Sequence, residues 1–267
     1  MRTVLLCRDG ADQRHLASAL AAAGRLDAVV VERRDDARKR KLAKALRRGP
    51  RLLLPVRVID VAAVVMYGNW SERVLARGLG VAGYPEGVPC VYVGNANEPA
   101  SIAALRELAP EVLIVLGTSI LCEEVLGVPS RHALSIHGGF LPDYRNTYSD
   151  FWALVNDDWS RVGSVIFHLD PGIDTGDIAL AESIPLTPDL TFGDLKVANA
   201  RLRAKLACRA LELAEAGALP RVPQPGVGGR SWYAPTALQL VRGLWHIRRS
   251  RRGQRTDAAA ASADVSL

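Results

Sequence analysis

The chain has 267 residues and a formal net charge of +6, with 49% hydrophobic and 23% charged residues. These values are ordinary for a soluble globular protein of one large domain with a substantial core. No apolar stretch is long enough to span a bilayer, because residues 52–67, the best candidate, contain Pro55, Arg57 and Asp60. The apolar N-terminal run is too short for a signal peptide and is interrupted by charge, so we expect a cytoplasmic protein.

The elements predicted along the chain alternate between strand and helix. Short apolar runs predict strands at 3–7, 27–32, 88–93, 111–116 and 133–137. Helical spacing and flanking turn residues predict helices at 11–23, 35–48, 52–79, 99–108, 120–126 and 148–155. A closing pair of strands is predicted at 162–169 and 178–186, followed by helices at 191–216 and 236–249.

This alternation predicts an α/β fold: an open, mostly parallel, Rossmann-like sheet with helices on both faces and a short helical C-terminal extension. We assign residues 1–217 to a catalytic domain with a helical basic insert at 33–87. Residues 218–250 are expected to form a linker and basic helix, and residues 251–267 a disordered tail. Since ligands bind beyond the carboxyl ends of parallel strands, we expect the loops after Leu116, His137 and Leu169 to meet at one edge of the sheet.

The positive charge is concentrated in two segments. Residues 33–51 hold ten Lys/Arg against Asp35 and Asp36, a local net charge of +8, and residues 248–255 add five arginines. Such segments are consistent with solvated helix faces, or with attraction to a phosphorylated substrate, an anionic membrane surface or nucleic acid. The basic runs lack interleaved aromatic residues and a binding motif, so no nucleic-acid partner is predicted.

The cysteines give no sign of a metal site. They stand at positions 7, 90, 122 and 208, without a Cys-x-x-Cys pair or regular spacing. We therefore expect reduced thiols rather than disulfides or metal ligands, and no metal.

The segment from Ala133 to Ile178 carries the chemistry. His137 ends an apolar run, and Asp174 follows another, 37 residues later (174 − 137). A histidine titrates near neutrality and can take a proton from an attacking amine, and a nearby aspartate would orient it and favour its charged form. The chain has no Gly-x-Ser-x-Gly elbow, which argues for direct attack of a bound amine on a bound acyl donor rather than a covalent acyl-enzyme.

A family resemblance adds to this reading. The ordered motifs Ser135-Ile136-His137, Leu141-Pro142-Asp143-Tyr144-Arg145 and Asp170-Pro171-Gly172-Ile173-Asp174-Thr175-Gly176, with Trp152 and Gly163, resemble the core signature of the folate-dependent formyltransferases. That family includes methionyl-tRNA, glycinamide ribonucleotide and sugar-nucleotide formyltransferases, and in outline the chain is nearest to the last group. The matching motifs cover roughly residues 88–186.

The resemblance implies roles for individual residues. His137 and Asp174 match the family's catalytic pair, whereas Ser135 stands where the family has the asparagine that binds the formyl oxygen, and Asn146 where it usually has glycine. The donor would be N10-formyltetrahydrofolate, with its pterin between two loops; the expected contacts are Leu116, Gly117, Thr118, Ile120, Leu121, Asp170, Gly172 and Ile173. Substrate contacts are expected at Gly138, Gly139, Tyr144 and Arg145, while Trp152 and His168 are expected to be structural.

The acceptor is expected to be a small-molecule amine, with a nucleotide-linked amino sugar preferred. Residues 218–267 do not resemble a tRNA-binding domain, and Arg8-Asp9-Gly10-Ala11-Asp12 is a poor phosphate cradle. Alternatives are a formyltetrahydrofolate hydrolase, or a folate- or nucleotide-binding homologue impaired by Ser135. Peripheral membrane contact through the basic helices and a homodimer are further expectations. A dinucleotide dehydrogenase is disfavoured, because no Gly-x-Gly-x-x-Gly follows the first strand.

Overall fold

The computed structural model describes residues 1–33, 54–187, 190–225 and 229–264, with side chains up to residue 250. The strands of this part of the chain are β1 (Thr3–Arg8), β2 (Ala28–Glu32), β3 (Cys90–Val93), β4 (Val112–Leu116), β5 (His132–His137), β6 (Arg145–Asn146), β7 (Gly163–His168), β8 (Ile178–Ser183) and β9 (Ser231–Trp232). Its helices are α1 (Ala11–Ala22), α2 (Leu54–Leu79), α3 (Pro99–Leu108), α4 (Glu123–Leu126), α5 (Ser149–Val155), α6 (Phe192–Glu215) and α7 (Ala237–Asp264).

The central sheet of the described residues has seven strands in the order β3-β2-β1-β4-β5-β7-β8. The first five are parallel, whereas β7 is antiparallel to both β5 and β8. The predicted mixed α/β fold with a mostly parallel sheet is confirmed. The strand order reverses direction between β1 and β4, which is where open α/β sheets place their ligand crevices.

Alternating side chains of the strands build a core on each face of the sheet. Leu5, Ile114, Leu134 and Ile136 face one core, which α1, α5 and α6 cover. The intervening positions, such as Leu113, face the other core, which α3 and α4 cover. Because side chains alternate along a strand, Ser135 and His137 lie on the second face, beside the small cluster of Leu141, Val165 and Phe167.

The orientation of β7 corrects one prediction. Leu134 pairs with His168 and His137 pairs with Val165, so β7 ends beside the start of β5. The loop that follows it therefore leaves from the amino edge of the parallel strands, not from the carboxyl edge with the loops after β4 and β5. An antiparallel strand reverses the edge at which its loop begins.

The helix ends follow local chemistry, with one departure from the prediction. Thr191 begins α6 through a capping box with Asp194, as the predicted boundary requires. In contrast, α7 continues to Asp264, although disorder was predicted from residue 251. The run Ala258–Ala261 has the highest intrinsic helix propensity, which explains the continuation.

Part of the predicted basic insert lies outside the described residues. Residues 34–53, which include the predicted helix 35–48 and most of the first basic segment, lie outside them. The helical part of the predicted insert that is described, α2, begins at Leu54 and ends at Leu79.

Within the described residues, none of the helices combines the length and apolar character that crossing a bilayer requires.

Candidate active site

The imidazole of His137 lies at the carboxyl end of β5, and its side chain is 9% exposed. Its Nε2 is 2.6 Å from the backbone oxygen of Tyr144 and 2.9 Å from the hydroxyl of Ser149. A carbonyl oxygen can only accept, so Nε2 carries a hydrogen and donates it to Tyr144. In the neutral ring, Nδ1 is then left with its lone pair free to accept a proton.

The carboxylate of Asp174 faces that free nitrogen. Its Oδ2 is 3.7 Å from His137 Nδ1, and the side chain is 20% exposed. The same oxygen accepts a hydrogen bond of 2.7 Å from the backbone N–H of Asn146. The predicted meeting of His137 and Asp174 thus occurs, even though their strands end at opposite edges of the sheet.

Two proton acceptors therefore face each other across a short gap. A neutral imidazole nitrogen and a carboxylate repel unless a hydrogen lies between them. An amine or ammonium group placed beside the two atoms could donate to both, and a proton passed to Nδ1 would leave an imidazolium beside an opposite charge. The arrangement is suited to general acid–base catalysis on an amine.

Left-handed backbone residues hold both halves of the pair. Asn146 has φ 77° and Asp174 has φ 52°. Residues other than glycine rarely adopt positive φ values, and Asn and Asp tolerate them better than the others do. This accounts for Asn146 at a position where glycine is usual in the resembling family: the turn needs a left-handed residue, and asparagine supplies it.

The space in front of Gly138 and Gly139 is filled by protein. A Cβ on Gly138 would lie 2.2 Å from the Arg203 guanidinium, and one on Gly139 would lie 2.4 Å from the Cβ of Ser149. Substrate contact at Gly138 and Gly139 stays a prediction, although protein atoms take the space on the side where a Cβ would stand. The two glycines allow Arg203 and the first turn of α5 to pack against the histidine loop.

Tyr144 and Arg145 position the site through protein contacts. The ring of Tyr144 is 4% exposed and stacks on Trp232 at 5.7 Å, and its hydroxyl donates to Asp158 at 3.0 Å. Arg145 donates to Gln224 Oε1 at 2.9 Å. Substrate contact at these two residues stays a prediction, because the described contacts are all within the protein.

The two loops expected to hold a pterin leave the strands on either side of β5. One follows β4 at the carboxyl edge of the sheet and the other follows β7 at the amino edge, and Asp174 of the second loop reaches His137. Leu116 and Leu121 are buried beneath the first loop, whereas Ile120 is 65% exposed on it and Ile173 is 45% exposed on the second. In the second loop, Asp170 is engaged locally, accepting from Gly172 N at 3.1 Å and from Thr175 Oγ1 at 2.7 Å.

Glu32 organises the first of these loops, although no sequence pattern indicated this role. This carboxylate is 1% exposed at the end of β2 and accepts from Arg8 Nε at 2.9 Å, from Ser119 N at 2.9 Å and from the Ser119 hydroxyl. Burial alone would raise the pKa of Glu32, but the hydrogen bonds of Ser119 and the charge of Arg8 hold it below its ordinary value. The backbone around Thr118 is thereby fixed.

The C-terminal segment also reaches the site, which the sequence did not predict. Gln224 Nε2 donates to the backbone oxygens of Asp174 and Gly176 at 2.9 and 2.8 Å. The short strand β9 pairs with β6, and Trp232 stacks on Trp152 at 4.9 Å. Because these contacts are distant in sequence, the only local signal was a Pro/Gly-rich stretch, which indicated a linker.

The expected structural residues occupy the positions predicted for them. Trp152 is 9% exposed in the core. His168 is 3% exposed, donates from Nε2 to Pro220 O at 3.0 Å and accepts from Arg221 at 3.2 Å, and burial lowers its pKa. Among the described residues, no cluster of His, Cys, Asp and Glu has the arrangement of a metal site.

Comparison with known proteins shows which family the central part of the chain resembles. Residues 86–211 match the family model described as formyl transferase. The methionyl-tRNA formyltransferase of Syntrophus aciditrophicus (strain SB) is 32% identical over 166 residues, which cover 62% of this chain and 52% of that protein. The chain spans about half the length of the curated relatives it matches.

Solved structures share the fold at lower identity. A sugar N-formyltransferase from Shewanella sp FDAARGOS_354 gives a TM-score of 0.53 at 13% identity, covering 86% of this chain and 77% of that one. Glycinamide ribonucleotide transformylase 1 from Symbiobacterium toebii gives 0.51 at 17% identity, covering 81% and 89%. The resemblance inferred from the sequence is confirmed: residues 86–211 match the formyl transferase family model, and the relatives that the chain matches are formyltransferase enzymes.

Proposed function

We propose that the protein transfers a formyl group from N10-formyltetrahydrofolate to a primary amine, with His137 and Asp174 as the acid–base pair. The observation that carries this proposal is the gap between His137 Nδ1 and Asp174 Oδ2, 3.7 Å wide, inside a formyl transferase domain. The tautomer fixed by Tyr144 O leaves Nδ1 able to accept the proton that the amine must lose.

The residues fit the donor's requirements. Ile120 and Ile173 expose apolar surface on the loops that follow β4 and β7, the strands on either side of β5, and such surface suits the face of a flat heterocycle. The remaining proposed contacts are Leu116, Gly117, Thr118, Leu121, Asp170 and Gly172, which would act largely through backbone groups. When bound, the donor supplies the formyl carbon, and no metal is required.

His137, Asp174 and Ser135 each have a separate role in the proposed transfer. The amine forms a bond to the formyl carbon, and its proton passes to His137 Nδ1, where Asp174 stabilises the resulting charge. Ser135, which shares a strand face with His137, is proposed to donate a hydrogen bond to the formyl oxygen as negative charge develops there. As the bond to the folate nitrogen breaks, that nitrogen takes the proton back from His137.

For the acceptor, we propose a nucleotide-linked amino sugar. Among the shared-fold structures, one is a sugar N-formyltransferase. A glycinamide ribonucleotide acceptor is disfavoured because the N-terminus of α1, where a phosphate would bind, already holds a carboxylate: Glu72 accepts from Ala11 N at 2.7 Å. Methionyl-tRNA is the second candidate, supported by the name of the relative that is 32% identical.

The test measures conversion of N10-formyltetrahydrofolate by absorbance with a UDP-linked 4-amino sugar, with methionyl-tRNA and with no acceptor. His137→Ala and Asp174→Asn are expected to lower acceptor-dependent turnover by about 10²–10⁴-fold. His132→Gln, at the opposite end of the same strand, is the matched control and should retain activity.

Each alternative has its own outcome in this assay. Turnover of the same size without acceptor would identify a hydrolase. Folate binding without turnover, unchanged in His137→Ala, would identify a binding protein. Turnover with methionyl-tRNA alone would replace the sugar acceptor, and no folate binding would refute the proposed chemistry.

A further inference from the structure

The helix α7 has two faces of opposite character. Its inner face is packed against the body: Leu240 is 7% and Ile247 is 2% exposed. Its outer face carries Leu238, Val241 and Trp245, which are 57%, 67% and 60% exposed. A row of large apolar side chains on the solvent-facing side of a helix is typical of a surface that contacts a protein, a ligand or a membrane.

A neighbouring helix extends this apolar surface. The backbone N–H of Ala237, at the start of α7, donates to Asp60 Oδ1 on α2 at 2.7 Å. Within one helical turn of Asp60, Val56 and Ile59 are 54% and 59% exposed. We call Val56, Ile59, Leu238, Val241 and Trp245 together the apolar surface.

Arginines border the apolar surface. Arg242, Arg248 and Arg249 are exposed, and the spacing of Arg242, Trp245 and Arg249 places them on one side of the helix. The guanidinium of Arg249 lies 5.4 Å from the centre of the Trp245 ring. The sequence from residue 237 to residue 256 has six arginines and no acidic residue.

We propose that the apolar surface and its arginines bind the surface of an anionic phospholipid bilayer. An amphipathic helix with tryptophan and aliphatic residues beside arginines can insert its apolar side chains at the level of the headgroups while the guanidinium groups contact phosphates. Charge selects this occupant over a second copy of the chain. Pairing α7 with itself would bring two arginine-rich helices together without acidic partners, and like charges at an interface disfavour binding.

The proposed membrane surface is connected to the catalytic region through α5. Gly243 of α7 allows Phe151 and Val155 to approach closely; a Cβ there would lie 2.5 Å from the Phe151 ring. The first residue of α5, Ser149, contacts the His137 imidazole. Binding to a bilayer would therefore hold the histidine loop near the lipid surface, whatever the acceptor is.

The experiment is co-sedimentation of the full chain with vesicles of phosphatidylglycerol and phosphatidylcholine, compared with phosphatidylcholine alone. We expect binding to the anionic vesicles that weakens with salt. Arg248→Gln/Arg249→Gln should lower the partition coefficient by about 30-fold, since each arginine near the surface contributes about a fivefold factor. Val241→Ser/Trp245→Ser should lower it by at least about tenfold.

The matched control is Arg106→Gln/Arg209→Gln, which removes the same charge from exposed positions on α3 and α6. It should bind vesicles within about threefold of the wild-type protein, if position rather than net charge governs binding. Circular dichroism melting confirms that each variant is folded.

Three results would overturn the proposal. The first is the absence of sedimentation with anionic vesicles at low salt. The second is a dimer in analytical ultracentrifugation that Val241→Ser/Trp245→Ser dissociates, which would make the apolar surface a self-interface. The third is a loss of tRNA affinity, with unchanged vesicle binding, in Arg248→Gln/Arg249→Gln. None of these results depends on the formyl transfer assay.

Discussion

Gln224 is expected to control the rate of catalysis although it lies outside the sequence motifs. It donates hydrogen bonds of 2.9 and 2.8 Å to the backbone oxygens of Asp174 and Gly176, and it accepts one of 2.9 Å from Arg145. These bonds fix the left-handed turn that points the Asp174 carboxylate at His137. The informative variant is Gln224→Leu, which keeps the approximate size and removes all three bonds.

The magnitude follows from these contacts. Each of the two bonds to backbone oxygens contributes about 1 kcal/mol net and the bond from the charged Arg145 guanidinium somewhat more, but solvent replaces part of this at a half-buried site, so we expect a loss of about 2 kcal/mol. For a chain of this size, that lowers Tm by about 4–8 °C. A carboxylate displaced by about 1 Å can cost about 100-fold in rate, so kcat should fall by about 10–100-fold.

The assay compares kcat and Tm in Gln224→Leu and in a control, Gln239→Leu. Gln239 lies in the same C-terminal segment, where its Oε1 accepts from Thr236 N at 2.9 Å. The control should lose about 1 kcal/mol of stability and retain its kcat. Equal kcat in Gln224→Leu and the wild-type protein, with only Tm lowered, would refute the positioning role.

Three further predictions concern single positions. Ser135→Ala should lower kcat by about 100-fold, whereas Ser135→Asn should have at least the wild-type kcat. An unchanged kcat in Ser135→Ala would show that the Ser135 hydroxyl does not stabilise the oxyanion. Burial would raise the pKa of Asp150, but the ammonium of Lys196, 2.9 Å away, outweighs burial and lowers this pKa below its ordinary value. The ion pair therefore stabilises the fold above about pH 4, and this stabilisation is lost as Asp150 becomes protonated at lower pH. Lys196→Met should therefore lose about 3–5 kcal/mol in urea unfolding at pH 7 and less at lower pH, and a pH-independent loss would contradict this. Burial raises the pKa of Cys7 to about 12, so iodoacetamide at pH 8 should label it only after unfolding; peptide mass spectrometry showing native labelling as fast as at Cys122 would count against it.

The sequence predicted the elements well because their signals are local. Helix α3 has the predicted bounds, Pro99–Leu108, since a proline at its start and an apolar face are readable within ten residues. The pairing of His137 with Asp174 was also predicted, both from the expectation that their loops meet at one edge of the sheet and from the motif resemblance. The topological argument placed the loop after β7 at the wrong edge, because nothing local in an apolar run reveals whether its strand is parallel or antiparallel.

Contacts between distant segments account for the rest of the site. Glu32 ended a predicted strand and had no role assigned to it, whereas its buried carboxylate accepts hydrogen bonds from Ser119, 87 residues later. Gln224 stood in a stretch that its glycine and proline content marked as a linker. Such residues become functional only when the fold brings their partners to them, and a single sequence contains no trace of that pairing.

The distribution of the site along the chain bears on how the acceptor could be selected. The family match ends at residue 211, and it contains Ser135, His137 and Asp174. Two supporting residues lie after residue 211: Gln224, which donates to the backbone oxygen of Asp174, and Trp232, which stacks on Tyr144. The proposed acid–base chemistry thus lies inside the matched residues, whereas part of its support lies outside them. Since the segment of residues 218–233 contacts Arg145 and the Asp174 loop, we expect its exchange with that of a relative to change the acceptor while folate binding persists; loss of both together would show that the segment is part of the common machinery.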